Sequence, residues 1–317
     1  MQRYITQRLL LTIPTLVGLT ALLFILLSVV LPVDVVDIAV AESGGGPEVE
    51  RALREKYGFE GPIIVRYVKW LGRVATGDLG ISFFTGRSVT EELVMRVPVS
   101  LELGVGALVI TVLGAIPIGM VSAAKQDSAT DYVARGGAIL FYAVPGFWVA
   151  TLVLVFGSLW FNWAPSIKYQ QLWENPWANI TQLMLPMLIL GLQPIGTMIR
   201  LVRTQVLEVM RQDYIRTARA KGLTSRDVYF RHVLRNTMIP LVTVIGLQLP
   251  RVVAGTVIFE TIFVLPGVGR YLLDSIQRLD FYVVLGTNLF FAVLLVVANL
   301  AVDISYGFID PRIRVAK

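Results

Sequence analysis

The sequence predicts an all-α polytopic membrane protein that crosses the bilayer six times, with N- and C-termini on the inner side. Three observations predict it. Six apolar runs have the roughly 20 residues that a helix needs to cross a hydrocarbon core of ~30 Å. Only 16% of the 317 residues are charged and 55% are hydrophobic, with mean hydropathy +0.69. Soluble domains carry about 25% charged residues. The runs also lack the period-two alternation of a membrane barrel.

The first run, Leu9–Leu31, is longer than the roughly 7–15 apolar residues of a signal-peptide core. The cleavage-like triplet Ala39-Val40-Ala41 lies well past it, beyond Pro32, Asp34 and Asp37. Residues 1–31 therefore read as an N-terminus and an uncleaved first span. Segment 32–97 is the one sizeable piece expected outside. It opens on Gly44-Gly45-Gly46-Pro47, and Glu48–Tyr57 reads as a polar helix stopped by Gly58. Ile63–Val74 reads as an amphipathic helix with Ile63, Ile64, Tyr67, Val68 and Leu71 on one side. Gly77-Asp78-Leu79-Gly80 is turn chemistry. With fewer than about 70 residues, the segment suits a rim or lid and not an independent enzyme.

Residues 98–317 hold the other five spans: Val99–Ala124, Tyr132–Phe161, Ile180–Ile199, Met238–Val264 and Phe281–Ile304. Trp160, Trp163, Trp173 and Trp177 cluster where an interfacial aromatic belt is expected, as anchors. The lysine and arginine bias sets the orientation. Arg3, Arg8, Lys125, Arg135, the basic run Arg200–Arg235, Arg312, Arg314 and Lys317 fall on one side. The two short outer loops hold Lys168, Arg270 and Arg278. The basic residues of segment 32–97 escape the rule, because long translocated regions do.

Several chemistries are excluded. Cysteine is absent and His232 is the single histidine, so thiolate catalysis and multi-histidine metal sites are out. The net charge of +6 does not point to nucleic acid, because it is concentrated on the inner side of the spans. No G-x-x-x-x-G-K-[ST] loop occurs, nor any Gly-Lys pair. If the protein pumps, ATP is handled elsewhere.

The most informative stretch is DYIRTARAKGLTSRDVYFRHVLRNTMIP, Asp213–Pro240. The fourth span is expected to run on from Arg200 to Lys221, and Gly222 to end it in the left-handed conformation. Thr224 with Asp227 is a capping-box-like start for a second helix. Val228, Phe230, Val233 and Leu234 supply apolar anchors there, ringed by Arg226, Arg231 and Arg235. The expected product is a helical elbow with a greasy face and a basic rim, suited to a groove on another protein.

These residues resemble the EAA loop of type I ABC importer permeases, in the form used by the oligopeptide/dipeptide (DppB/OppB-like) branch. The match covers Asp213–Leu223. It extends to Gly77-Asp78-Leu79-Gly80 with Ser82, and to Arg96, Pro98, Ser100, Leu101, Glu102 and Leu103. It continues through Val144-Pro145-Gly146-Phe147-Trp148 and Val257–Phe263 to Leu265-Pro266-Gly267-Val268-Gly269-Arg270. Arg216 and Thr217 depart from the broader consensus, as does Arg235 where proline is usual; these departures look like the peptide branch itself.

The resemblance implies a non-catalytic permease subunit in a bacterial cell membrane, importing di- or oligopeptides. It would pair as a heterodimer with a second, similar permease, two cytoplasmic ATPases and an extracytoplasmic solute-binding protein. ATP and Mg would reside in the ATPases, with no cofactor bound by this chain. Within the coupling loop 200–236 it implies that Asp213, Tyr214, Arg216, Thr217, Ala218, Lys221, Gly222 and Leu223 serve ATPase coupling, with Val228, Phe230 and Leu234. Segment 32–97 would help form the outer rim.

Ionisable residues inside spans are functional candidates. Arg251, Gln248 and Glu260 are the candidates for the translocation path. Arg251 and Glu260 are nine residues apart, on opposite helix faces and roughly 13 Å apart along the axis. Arg251 is placed either on the path, meeting a peptide carboxylate, or against a partner permease. Glu260 has a structural alternative, and Glu102 is expected at the outer interface. Pro240, Gly246, Pro250 and Gly255 suggest a bent, pore-lining fifth span. Nickel-chelate or glutathione import on the same scaffold stays open. A stand-alone channel would not need the elbow, and an intramembrane enzyme lacks convergent catalytic groups.

Overall fold

The computed structural model describes residues 2–30, 36–37, 40, 45–166 and 168–309. Pro32, Asp34, Ala39, Ala41, Gly44, Arg312, Arg314 and Lys317, invoked above, lie outside them. The described residues contain no strand, only an isolated antiparallel bridge between Ile81 and Ser88. The helices are α1 (Gln2–Val30), α2 (Pro47–Tyr57), α3 (Ile63–Ala75), α4 (Val89–Ala124), α5 (Ala129–Ala143) and α6 (Gly146–Phe161). There follow α7 (Pro176–Met210), α8 (Asp213–Ala220), α9 (Ser225–Asp227), a π-helical turn (Val228–Val233), α10 (Leu234–Ile262), α11 (Val268–Gln277) and α12 (Phe281–Ile309).

Five of these helices are long and apolar enough to cross a membrane. The sixth expected span, Tyr132–Phe161, is not one rod. It is α5 and α6, bent by 86° at Val144–Pro145. Proline forces the preceding residue out of the helical region, and Val144 has φ −91 and ψ 122. Counted as one span, the bent pair completes six.

The chain packs as two compact units. Among the described residues, one holds those up to 98 and 266–297, the other those from 99 to 265 and from 298 to 309. In the first, Phe24, Tyr57, Phe59, Trp70, Tyr271, Phe281 and Tyr282 form an aromatic core. Phe281 meets Phe24 edge-on at 5.0 Å and Phe59 at 5.3 Å, within the favourable range for such pairs. The inward stripe of α3 is Ile63, Tyr67, Trp70 and Val74. Ile64 and Val68, expected on that stripe, are exposed at 76% and 60%. Trp70 decides the register, because its large ring is buried while its Nε1–H donates to the Leu79 carbonyl at 3.1 Å.

A buried carboxylate closes this unit. Asp280 accepts from Ser82 Oγ at 2.6 Å and from the Phe83 N–H at 3.3 Å. Burial nonetheless pushes its carboxyl above the usual aspartate range.

In the second unit α7 is the hub, packing against α5, α6 and α10. Small residues let helix backbones approach within membranes. Gly196 shows why: a Cβ there would collide with the Ala138 carbonyl oxygen of α5.

Candidate functional site: an elbow and a membrane-depth cavity

The elbow starts where α7 stops. The expected continuous helix to Lys221 is broken at Arg211–Gln212, with Gln212 extended at φ −73 and ψ 145. The break turns α8 so that Ile215 and Ala218 are buried with Val206, Val228, Val233 and Leu241. Burying that stripe offsets the lost helical hydrogen bonds. Gly222 then adopts φ +82, the Gly222 N–H bonds the Arg219 carbonyl, and the chain reverses. Thr224 Oγ1 accepts from the Asp227 N–H at 3.2 Å and opens α9.

The π-helical turn changes which residues face out. Positions five apart sit about 140° apart on an α-helix, but the wider turn brings Val228 and Val233 to one inward face, both fully buried. Val228, expected as an outward anchor, is therefore part of the core and offers no exposed surface. Ala218 is buried too and Leu234 is half-buried. The exposed apolar groups are Phe230 at 62%, Tyr214 at 43% and Leu223 at 37%. Asp213, Arg216, Thr217, Lys221 and Gly222 are exposed as well, as are Arg226, Arg231 and Arg235. Of the four apolar anchors expected on the second arm, Phe230 is the exposed one.

Beneath the elbow sits a network that sequence reasoning missed. Asp131 of α5 has no exposed surface and receives both Nε and Nη2 of Arg203 from α7, at 2.8 and 2.7 Å. Ser122 Oγ of α4 and the Asp127 N–H complete its shell, at 2.5 and 3.0 Å. Such bidentate, charge-assisted pairing fixes geometry as well as energy. The available signal was Asp131 three residues after Ser128, which caps α5.

At membrane depth the three path candidates separate. Glu260 is fully buried, and Ser100 Oγ and Thr256 Oγ1 both lie 2.7 Å from its Oε1. It ties α10 to α4 through these two hydroxyls. Arg251 and Gln248 line one cavity of about 270 Å3 with Tyr142, Gln193 and Thr197. Arg251 is exposed and has no carboxylate partner among the described residues. Glu102 accepts from Tyr169 Oη at 2.8 Å and from Asn179 Nδ2 at 2.9 Å, tying the α6–α7 connection to α4. Burial and that carboxylate push the Tyr169 hydroxyl up. No cluster of metal-ligating side chains occurs among the described residues.

Comparison with known proteins gives consistent findings. A family profile described as "Binding-protein-dependent transport system inner membrane component" matches residues 115–315. The chain is 38% identical to the dipeptide transport system permease protein DppB of Escherichia coli (strain K12), over 99% of each. It is 35% identical to the oligopeptide transport system permease protein AppB of Bacillus subtilis (strain 168), over 99% of this chain and 100% of that one. A chain of the MetNI methionine ABC transporter in an inward-facing conformation superposes with TM-score 0.54. That match covers 69% of this chain and 96% of the other at 13% identity, and shows a shared fold.

Proposed function

The chain belongs to the family of binding-protein-dependent transport system inner membrane components, and from that premise we propose that it is the membrane-spanning permease subunit of an ATP-driven importer of di- and oligopeptides. The observation that carries this reading is near-full-length identity of 38% and 35% to dipeptide and oligopeptide permeases. The exposed elbow supports it physically, since an apolar face ringed by cations outside the spans suits a groove on a soluble partner.

In this reading both termini and the elbow are cytoplasmic, as the lysine and arginine bias supports. Two ATPases bind beneath, each nucleotide and its Mg held by them. A second, homologous permease completes the pathway, and a solute-binding protein docks outside, where segment 32–97 contributes to the rim. Tyr214, Leu223 and Phe230 enter the ATPase cleft, and Arg216 and Lys221 border it. Gly222 sets the reversal between the two arms of the elbow. The chain itself performs no chemistry.

Reconstitution tests the proposal. The complete complex in proteoliposomes, with ATP inside and loaded binding protein outside, should accumulate peptide, and this chain alone should not. Accumulation or ion conduction by the isolated chain would overturn the reading.

A further inference from the structure

We propose that the cavity around Arg251 is a stopping point for the C-terminal carboxylate of a peptide in transit. The inference rests on the importer reading above and adds the ligand group and the residues that meet it. Three helices build the site: Tyr142 from α5, Gln193 and Thr197 from α7, and Gln248 and Arg251 from α10. Arg251 lies near the middle of its span, Pro240–Ile262. A cation at that depth is expensive unless it faces a water-filled path or a partner charge.

Not all of the polar groups around it are consumed internally. Thr197 Oγ1 donates to the Pro194 carbonyl at 2.8 Å. The carboxamides of Gln193 and Gln248, by contrast, make no hydrogen bond among the described residues, and Arg251 makes no ion pair. Lipid could satisfy none of these groups. A guanidinium fork matches a carboxylate bidentately, and carboxamides both donate and accept, as a peptide bond requires. Arg200 stacks 5.6 Å from the Tyr142 ring, adding positive potential behind the cavity wall.

A neighbouring void gives the ligand its second feature. Gln193 also lines a cavity of about 260 Å3 whose other walls are apolar, including Phe141, Val144, Val149, Ile189 and Leu192. This cavity exists because Pro145 breaks the span into α5 and α6. An anion site beside an apolar hollow suits a terminal carboxylate whose own side chain is apolar. A fixed ion pair with a second permease would need neither the unbound carboxamides nor the hollow.

The test uses the whole complex in proteoliposomes with loaded binding protein. Arg251→Gln should cut uptake of free-acid peptides roughly ten- to a hundredfold, the weight of a charge-assisted hydrogen-bond pair. Arg251→Lys should restore part of it, keeping the charge without the fork. A photoreactive group on the C-terminal residue of the peptide should cross-link within α7 and α10, and the same group on the N-terminal residue should not. Unchanged uptake in Arg251→Gln, or equal cross-linking from both ends, overturns the inference and leaves the importer reading intact. So does failure of Arg251→Gln to co-purify with the second permease, which would make Arg251 an assembly residue. If the wild-type complex imports no peptide at all, both fall.

Discussion

Arg203 grips Asp131 through two parallel hydrogen bonds, Nε to Oδ1 at 2.8 Å and Nη2 to Oδ2 at 2.7 Å, around a carboxylate with no exposed surface. Breaking a buried pair from one side costs about 3–5 kcal/mol, because the remaining charge is left uncompensated. Arg203→Gln alone should therefore lower the unfolding midpoint of the purified protein markedly. The double variant with Asp131→Asn should cost less than the two singles added together. Additive losses in a double-mutant cycle would show that the pair does not act as a unit.

The elbow presents Phe230 to solvent and turns Val228 inward. Phe230→Ala should leave thermal stability within about 0.5 kcal/mol of wild type and weaken co-purification of the ATPases. Val228→Ala should do the opposite, losing roughly 1–3 kcal/mol of stability as a small buried truncation. Pull-down and thermal unfolding on the same preparations separate the two.

Gly222 sits at φ +82, and beyond its own chain neighbours no atom lies within 4 Å of where a Cβ would stand. Its requirement is conformational and not steric. Gly222→Asn should keep most transport, since asparagine visits the left-handed region at modest cost. Gly222→Val should abolish uptake while the protein still inserts, because a β-branched residue at positive φ is strained by about 1–3 kcal/mol. Normal transport by the valine variant would remove the elbow from coupling.

Asp280 gives a pH dependence with a definite sign. Its carboxyl is pushed above the usual aspartate range by burial, despite the hydrogen bonds from Ser82 and Phe83. A folded-state pKa above the unfolded one favours the folded state where the group is protonated in both. That contribution is fully present below the unfolded pKa, near 3.9, and is lost as pH rises through the folded one. Asp280→Asn should flatten this part of the stability profile in urea titrations at a series of pH values. An unchanged slope would assign it to another group.

Much of the architecture was legible because it depends on length, apolarity and single-residue geometry. The six runs, the stop at Gly222 and the start at Thr224 needed nothing from outside their own segments. Other features depended on tertiary choices. Pro145 stands inside an apolar run that reads as one span, and nothing local to that run sets the 86° break that the packed helices adopt there. The outward assignment of Val228 assumed α-helical phase, and the π-helical turn changed the phase locally. Arg203 was counted as one more inner cation, since nothing in its neighbourhood names Asp131, 72 positions earlier. For Glu260, sequence could locate the acid near the end of a span, but not the Ser100 hydroxyl waiting on α4.

From Ser225 to Ile262 the backbone never leaves helical geometry, with Pro240 and Pro250 accommodated inside it. Phe230 and Arg251 thus ride on one beam, roughly 30 Å apart at 1.5 Å per residue. Displacement at one end reaches the other through continuous helical turns, with the π-helical turn and the two prolines as the places where the run can flex. In the importer proposed above, grip below and release above would share this one run of backbone.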